Sequence, residues 1–486
     1  MAPFAKTGGL ADVAGALPDA LTERGADVCA VIPGYRCARE QGEFGRPAVG
    51  GLKVPFGSVH LEAGILETAT ERGVPVLAVE REDLFDRPNL YGTGGGDYYD
   101  NLERFAFFSR AALLVARARG FEPDIVHCHD WQTGLIPALI REGAPGPASV
   151  FTIHNLGYQG LFPREKLAFT GLSERRVYHP EGLEYWGRVS LLKAGIVYSD
   201  AVTTVSPTYA EEIQTPEMGM GMEGVLRGRS GSLTGILNGV DYDRWSPETD
   251  PHLAAAYGAK DMDGKDRCKE ALVREMGLAG GLAGRPLLAV VSRLDAQKGI
   301  DLLVRALEEV LSLDVGLVVL GAGDPGIEAS LREARTAHRD RMALRTGMDD
   351  PLAHRIMGGA DILLIPSRYE PCGLTQMYAM RYGTLPVVRA TGGLEDTVTA
   401  YNGRTGSGNG FKFKEAAPRA LLASLKEAVA LYGDRTRWER LRASAMAVEF
   451  SWDRSARRYL DLYTSVLRSR SSSRGAGLER QALQRP

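Results

Sequence analysis

The sequence predicts an α/β protein built from two doubly wound domains with parallel sheets. Short β-branched runs bounded by Gly, Pro and Asp alternate with longer segments of helical periodicity, the pattern of strands joined by crossover helices. A chain of 486 residues is too long for one small fold and suits two large domains. Apolar residues make up 44% and charged residues 24%, which supplies a core and excludes disorder, collagen and coiled coil.

In the first half, strands are expected at Asp27 to Ile32, Val74 to Val79, Asp124 to His127, Ser149 to Ile153 and Ala201 to Val205. In the second half they are expected at Leu287 to Ser292, Gly316 to Leu320, Ile362 to Ile365 and Leu385 to Val388. Turn residues in ILNGVDYDRWSP mark the boundary, giving a first domain over 1–237 and a second over 238–450. The periodic stretch within 451–467 reads as an amphipathic C-terminal helix that packs back on the first domain. The Ser/Arg-rich tail, 468–486, reads as disordered.

The net charge of −3 gives no basic excess, so no nucleic-acid partner is expected and an anionic ligand must be met locally. No apolar run is long enough to span a membrane, and MAPFAKTGGL lacks the apolar core of a signal peptide, so a cytoplasmic location is expected. The cysteines Cys29, Cys37, Cys128, Cys268 and Cys372 are scattered, without metal-ligand spacing, and read as reduced thiols.

Six segments carry candidate chemistry. KTGGLADVAGALP places Lys6, Gly8 and Gly9 before a helix, a cradle for phosphate or sugar; the same residues also read as a plain helix-entry turn. SRLDAQKG follows a strand and puts Arg293 and Lys298 at a sheet's carboxyl end, where open α/β folds bind ligands. The chain holds 11 lysines against 47 arginines, so lysine at positions 6 and 298 suggests sites that want a compact ammonium. SRYEPCGLTQ ends another strand: Glu370 suits a sugar's hydroxyls, and the Cys372, Gly373, Leu374 and Thr375 amides open a helix toward a diphosphate. Glu370 reads equally as a cap on that helix. VHCHDW and FTIHN bring His127, His129, Asp130, His154 and Asn155 to strand ends as a hydroxyl-binding pocket, with no third ligand spaced for a metal. The tract LYGTGGGDYYDN offers Tyr91, Tyr98 and Tyr99 as stacking surfaces or as ordinary packing.

Together with LKAGIVYSD, TTVSPTYAEEI, HRIMGGAD and TGGLEDTV, these segments resemble, in order and over nearly the whole chain, the bacterial glycogen synthase and starch synthase family. The resemblance implies the GT-B architecture, two Rossmann-like domains facing an interdomain cleft. It also implies retaining transfer of glucose from ADP-glucose to the end of an α-1,4-glucan primer such as glycogen, with release of ADP and with no metal or other cofactor. By the same resemblance Lys6, Gly8 and Gly9 would face diphosphate and glucose, Arg293 and Lys298 would neutralise the leaving ADP, and Glu370 would hold the glucose. His154 would lie beside the anomeric carbon with Asn155 next to it, Asp130 would bind hydroxyls, and the backbone from Cys372 to Thr375 would meet phosphate and sugar.

The sequence departs from the family pattern twice. Family members carry an apolar strand and a Ser-Glu pair ahead of KTGGL, so the first strand of the N-terminal domain is read as missing. Met348 stands where the family often has an aromatic against the base, which loosens the expected choice between ADP-glucose and UDP-glucose. The alternatives are another retaining GT-B transferase using UDP-glucose and a glucan-binding protein with impaired catalysis. Tyr378 lies eight positions after Glu370, where sucrose- or trehalose-forming relatives often carry a second glutamate, and this favours the glucan synthase.

Overall fold

Strand pairing in both halves follows the burial of the apolar runs. A computed structural model describes all residues other than 42, 43, 46–48, 95, 144, 145 and 484–486, and describes 49, 50 and 473–483 by backbone alone. The chain divides into a first unit of Met1–Val205, Ala210–Gly239 and Trp452–Pro486 and a second of Ser206–Tyr209 and Val240–Ser451.

The first unit holds β1 (Ala30–Pro33), β2 (Val49–Phe56), β3 (Val59–Ala69) and β4 (Pro75–Glu80), paired in the order β1-β4-β3-β2. Only β1 and β4 are parallel; β2 and β3 form an antiparallel hairpin that the sequence reading does not contain. The reason is uneven burial: β3 exposes Val59, His60 and Glu62 and buries Ala63, Ile65 and Leu66, so no long apolar run marks it.

A second ladder in this unit contains β5 (Ile125–His129), β6 (Ala148–Ile153), β10 (Ala201–Thr204) and β11 (Leu233–Gly235), all parallel, in the order β11-β10-β6-β5. Between β6 and β10 lie three short antiparallel strands, β7 (Leu161–Pro163), β8 (Glu184–Tyr185) and β9 (Arg188–Ser190). Helix α1 (Gly9–Thr22) presents Val13, Leu17 and Leu21 at helical spacing. They pack against Trp452, Ala456 and Tyr459 of the C-terminal helix, which spans Trp452–Leu483.

That helix extends past the 451–467 expected from the sequence into the segment read there as a disordered tail, 468–486. It runs on to Leu483, and 484–486 lie outside the described residues. Once a helix is anchored by packing, each further residue adds its hydrogen bond without a new nucleation cost, so the backbone can continue it.

The second unit is one six-stranded sheet, entirely parallel. Its strands are β12 (Leu287–Val291), β13 (Gly316–Gly321), β14 (Met342–Thr346), β15 (Ile362–Ile365), β16 (Leu385–Arg389) and β17 (Phe411–Phe413). The order β14-β13-β12-β15-β16-β17 reverses direction between β12 and β15. That reversal is the topological switch point at which doubly wound sheets open a crevice beyond their carboxyl ends.

Candidate active site

Two clusters of the expected residues form, one in each unit. In the second unit the segments leaving β12 and β15 flank the switch point and bring Lys298 and Glu370 together. The Lys298 ammonium lies 2.8 and 2.6 Å from the two carboxylate oxygens of Glu370, and Ser367 Oγ donates to Oε2 at 2.9 Å. Glu370 is 6% exposed, so its charge is held by these donors rather than by water. It does not cap its helix: α2 (Thr375–Arg381) starts after Leu374, and no side chain caps it.

The backbone around this pair is fixed from both sides. Gly299, at φ +68°, lies so close to the Pro366 carbonyl that a Cβ would stand 2.0 Å from its oxygen. The pair Gly392 and Gly393 does the same on the far side, where added Cβ atoms would lie 2.1 Å from the Glu370 oxygen and 1.9 Å from the Cys372 oxygen. The Gly393 N–H donates to the Glu370 carbonyl at 3.0 Å. TGGL is thus a packing requirement of the Glu370 loop, and its signal in the sequence was the glycine pair itself. Gln376 Nε2 donates to the Cys372 and Gly373 carbonyls, at 3.1 and 2.9 Å.

Arg293 lies on the same β12 segment, half-exposed, paired with Asp295 at 2.8 Å and donating to Gln297 Oε1 at 2.7 Å. Arg368, which the sequence reading passed over, grips Asp301 at 2.5 and 2.8 Å and ties the two segments through the Ala296 carbonyl. Met348 is 88% exposed, and Tyr378 stacks on Trp245 with centroids 4.0 Å apart.

In the first unit, β5 and β6 end side by side and carry the histidines. His129 Nδ1 and His154 Nε2 are 3.0 Å apart, so one proton bridges them. His127 bridges Tyr463 Oη at 2.7 Å and Thr152 Oγ1 at 2.6 Å and takes a structural place. Burial holds the His127 and His154 imidazoles well below the usual range and His129 down to about 4; the crowding of imidazoles that disfavour a shared charge adds to this at His127 and His154, and the N-terminal ammonium at His129. Asp130 is buried, and burial pushes its carboxyl up to about 7 against the backbone N–H of His154, which it accepts at 2.7 Å. Its φ of 55° is unusual for a residue with a Cβ, a strain of a kind that clusters at functional sites. Asn155 accepts the Gly157 N–H and turns the chain there.

Lys6, Gly8 and Gly9 sit at the start of α1, with Gly8 at the N-cap and Gly9 the first helical residue. The Lys6 ammonium is paired with Asp12 of the first turn at 2.8 Å. Among the described residues no group of three or more His, Cys, Asp or Glu is placed to hold a metal ion, and no helix is long and apolar enough to cross a membrane.

Comparison with known proteins shows the family and the fold class. Residues 1–228 match the starch synthase catalytic domain and residues 281–441 the glycosyl transferases group 1 domain. Glycogen synthases of Syntrophotalea carbinolica and of an Anaeromyxobacter species are each 48% identical over 473 residues, covering 96% of this chain and 97% and 98% of theirs. The catalytic domain of starch synthase IV from Arabidopsis thaliana, solved bound to ADP and acarbose, superposes with a TM-score of 0.89 at 36% identity, covering 96% of this chain and 97% of that one. A sucrose-phosphate synthase from Thermosynechococcus elongatus shares the fold, with a TM-score of 0.60 at 18% identity. The chain therefore belongs to the glycogen synthase family and is a glycosyltransferase of the GT-B fold class.

Proposed function

We propose that the protein transfers glucose from ADP-glucose to the non-reducing end of an α-1,4-glucan, with retention of configuration and release of ADP. The observation that carries this reading is the buried Glu370 held by Lys298 at the switch point, with Arg293 on the same segment. Glu370 then orients glucose hydroxyls, and Lys298 and Arg293 neutralise the diphosphate as the anomeric bond breaks. One such charge about 4 Å from a phosphate oxygen contributes roughly 4 kcal/mol at an effective dielectric of about 20. The amides from Cys372 to Thr375 serve phosphate and sugar, and Lys6 with Gly8 and Gly9 serves the same groups from the first unit.

His154, neutral because it is buried beside His129, offers a hydrogen bond beside the anomeric carbon rather than a second positive charge. Asp130 and Asn155 take hydroxyls. The sequence offers no obvious carboxylate pair of the glycosidase kind, so retention is read as attack on the same face within an ion pair. No metal or other cofactor enters this reading, and the cytoplasm is the location it suits. The stacking of Tyr378 on Trp245, in place of a second glutamate, favours a glucan synthase over a sucrose- or trehalose-forming enzyme.

The test is incorporation of labelled glucose into glycogen, comparing ADP-glucose with UDP-glucose as donor. The expected result is incorporation from ADP-glucose, with ADP released in equal amount. Incorporation from UDP-glucose alone, or from neither donor, overturns the reading.

A further inference from the structure

The chain contains five tryptophans, and they are not placed alike. Trp131, Trp245, Trp438 and Trp452 are 7%, 7%, 0% and 8% exposed, whereas Trp186 is 84% exposed. It stands at the tip of the β8–β9 hairpin, in the two-residue turn between Tyr185 and Arg188, which pair across the ladder. Both turn residues have left-handed backbone, Trp186 at φ 51° and Gly187 at φ 76°. Such turns favour Asn or Asp before Gly, because a bulky side chain resists positive φ. Here the strained position is filled by the largest side chain available, and packing returns almost nothing for it. A strained, exposed aromatic that does not serve the core is a mark of a binding surface.

The hairpin is held rigidly beneath that indole. The Lys193 ammonium, on a buried side chain, donates to the Pro180 carbonyl at 2.5 Å and the Glu184 carbonyl at 2.6 Å. The Gly187 N–H donates to Glu184 Oε1 at 2.8 Å, and Arg188 donates to the Leu161 carbonyl at 2.8 Å. Tyr185 Oη and Gln159 Nε2 both donate to the Met220 carbonyl, at 3.2 and 3.0 Å. This shared acceptor ties the hairpin to the segment that continues from His154 and Asn155, and the residue before Gln159 is Tyr158, itself 54% exposed. Two exposed aromatic rings are thus mounted on one hydrogen-bonded frame that runs back to the histidine cluster.

We propose that Trp186, with Tyr158, is a stacking platform for the acceptor, binding glucose rings of an α-1,4-glucan chain by their apolar faces while the ring hydroxyls stay in water. This rests on the acceptor proposed above. A sugar ring has the amphipathic shape that an exposed indole suits, with C–H bonds on one face and hydroxyls around the rim, and the strain at Trp186 is offset when the face is covered. Trp186 binds the acceptor and takes no part in bond breaking.

The experiment uses the full chain without donor. Iodide quenches the fluorescence of exposed indoles, and Trp186 is the accessible one of the five, so quenching is measured as maltohexaose is added. Saturating maltohexaose is expected to lower the quenching constant at least about twofold, Trp186→Ala to abolish that response, and Trp186→Phe to raise the acceptor KM less than Trp186→Ala, which raises it about tenfold at unchanged donor KM. Quenching that ignores maltohexaose, or an unchanged acceptor KM in Trp186→Ala, overturns the platform, including the case in which the indole is covered by another part of the chain or by a second copy. Protection by maltohexaose in a chain that transfers no glucose from either donor leaves the platform standing and refutes the proposed reaction. Transfer without protection does the reverse.

Discussion

Glu370 and Lys298 show what a single pair determines. Each is needed by the other before any ligand arrives: the carboxylate is 6% exposed, and without the ammonium it would keep a buried charge with Ser367 as a remaining side-chain donor. Breaking such a pair from one side costs on the order of 3 kcal/mol, while removing both charges costs far less. Lys298→Met is therefore expected to unfold at lower denaturant than the double variant Lys298→Met/Glu370→Met, as measured by urea denaturation. Equal midpoints would mean that the pair is solvated and does not support the loop. Both single variants, Glu370→Ala and Lys298→Ala, are expected to lose at least ~100-fold in turnover, the scale of one preorganised electrostatic group. Near-normal turnover in either folded variant removes that residue from the reaction. The sequence made both residues visible because each follows an apolar strand; their contact was not visible, since 72 residues separate them.

Among the elements, the four central strands of the second unit were legible, while its two edge strands and several strands of the first unit were not. β12, β13, β15 and β16 are buried on both faces, so their residues form continuous aliphatic runs such as LLAVV and ILLI. β14 and β17 lie at the sheet edges, with Arg345, Thr346 and Lys412 among their residues, and the runs are broken accordingly. The Gly392–Gly393 turn shows the same limit. TGGL can be read as a helix entry, and only the fold reveals that the glycines are there to admit the Glu370 and Cys372 carbonyls. Gly393→Ala places a methyl 1.9 Å from an oxygen and must push the loop aside, at an expected cost of about 2–3 kcal/mol in stability. Turnover is expected to fall further than stability, because the loop that moves carries Glu370. A Gly393→Ala protein with wild-type turnover and thermal midpoint would show that the loop yields freely.

At the scale of the whole molecule, acid stability follows from the buried histidine cluster. His127 and His154 are held well below the ordinary 6.5, and His129 at about 4, so all three remain neutral in the fold but take protons once unfolded. Their contribution is complete above pH 6.5 and is lost as the pH falls toward 4. Asp130 acts with the opposite sign: unfolded it ionises above about 3.8, folded not until about 7, so its contribution is lost as the pH rises across that interval. Three groups outweigh one, and stability is expected to fall on acidification from pH 6.5 to 4. His129→Gln removes one proton from that dependence and flattens the slope by about 1.4 kcal/mol per pH unit. Urea midpoints at several pH values read this directly, and a parallel pH profile for wild type and His129→Gln would place the shift elsewhere.

The sequence by itself determined the fold class and the family, because buried parallel strands and the segments that follow them leave local marks: aliphatic runs, glycine pairs, and charged residues at strand ends. It also marked which residue types stand at those ends. Only the tertiary structure decided which of them meet: Lys298 with Glu370 across a switch point, His129 with His154 across two strands, Gly393 with the Cys372 carbonyl. It alone distinguished Trp186 from the four buried tryptophans. The physical reason is that strand and helix formation respond to neighbours in the chain, whereas burial, shared protons and pKa shifts depend on groups that sheet topology brings together from distant positions.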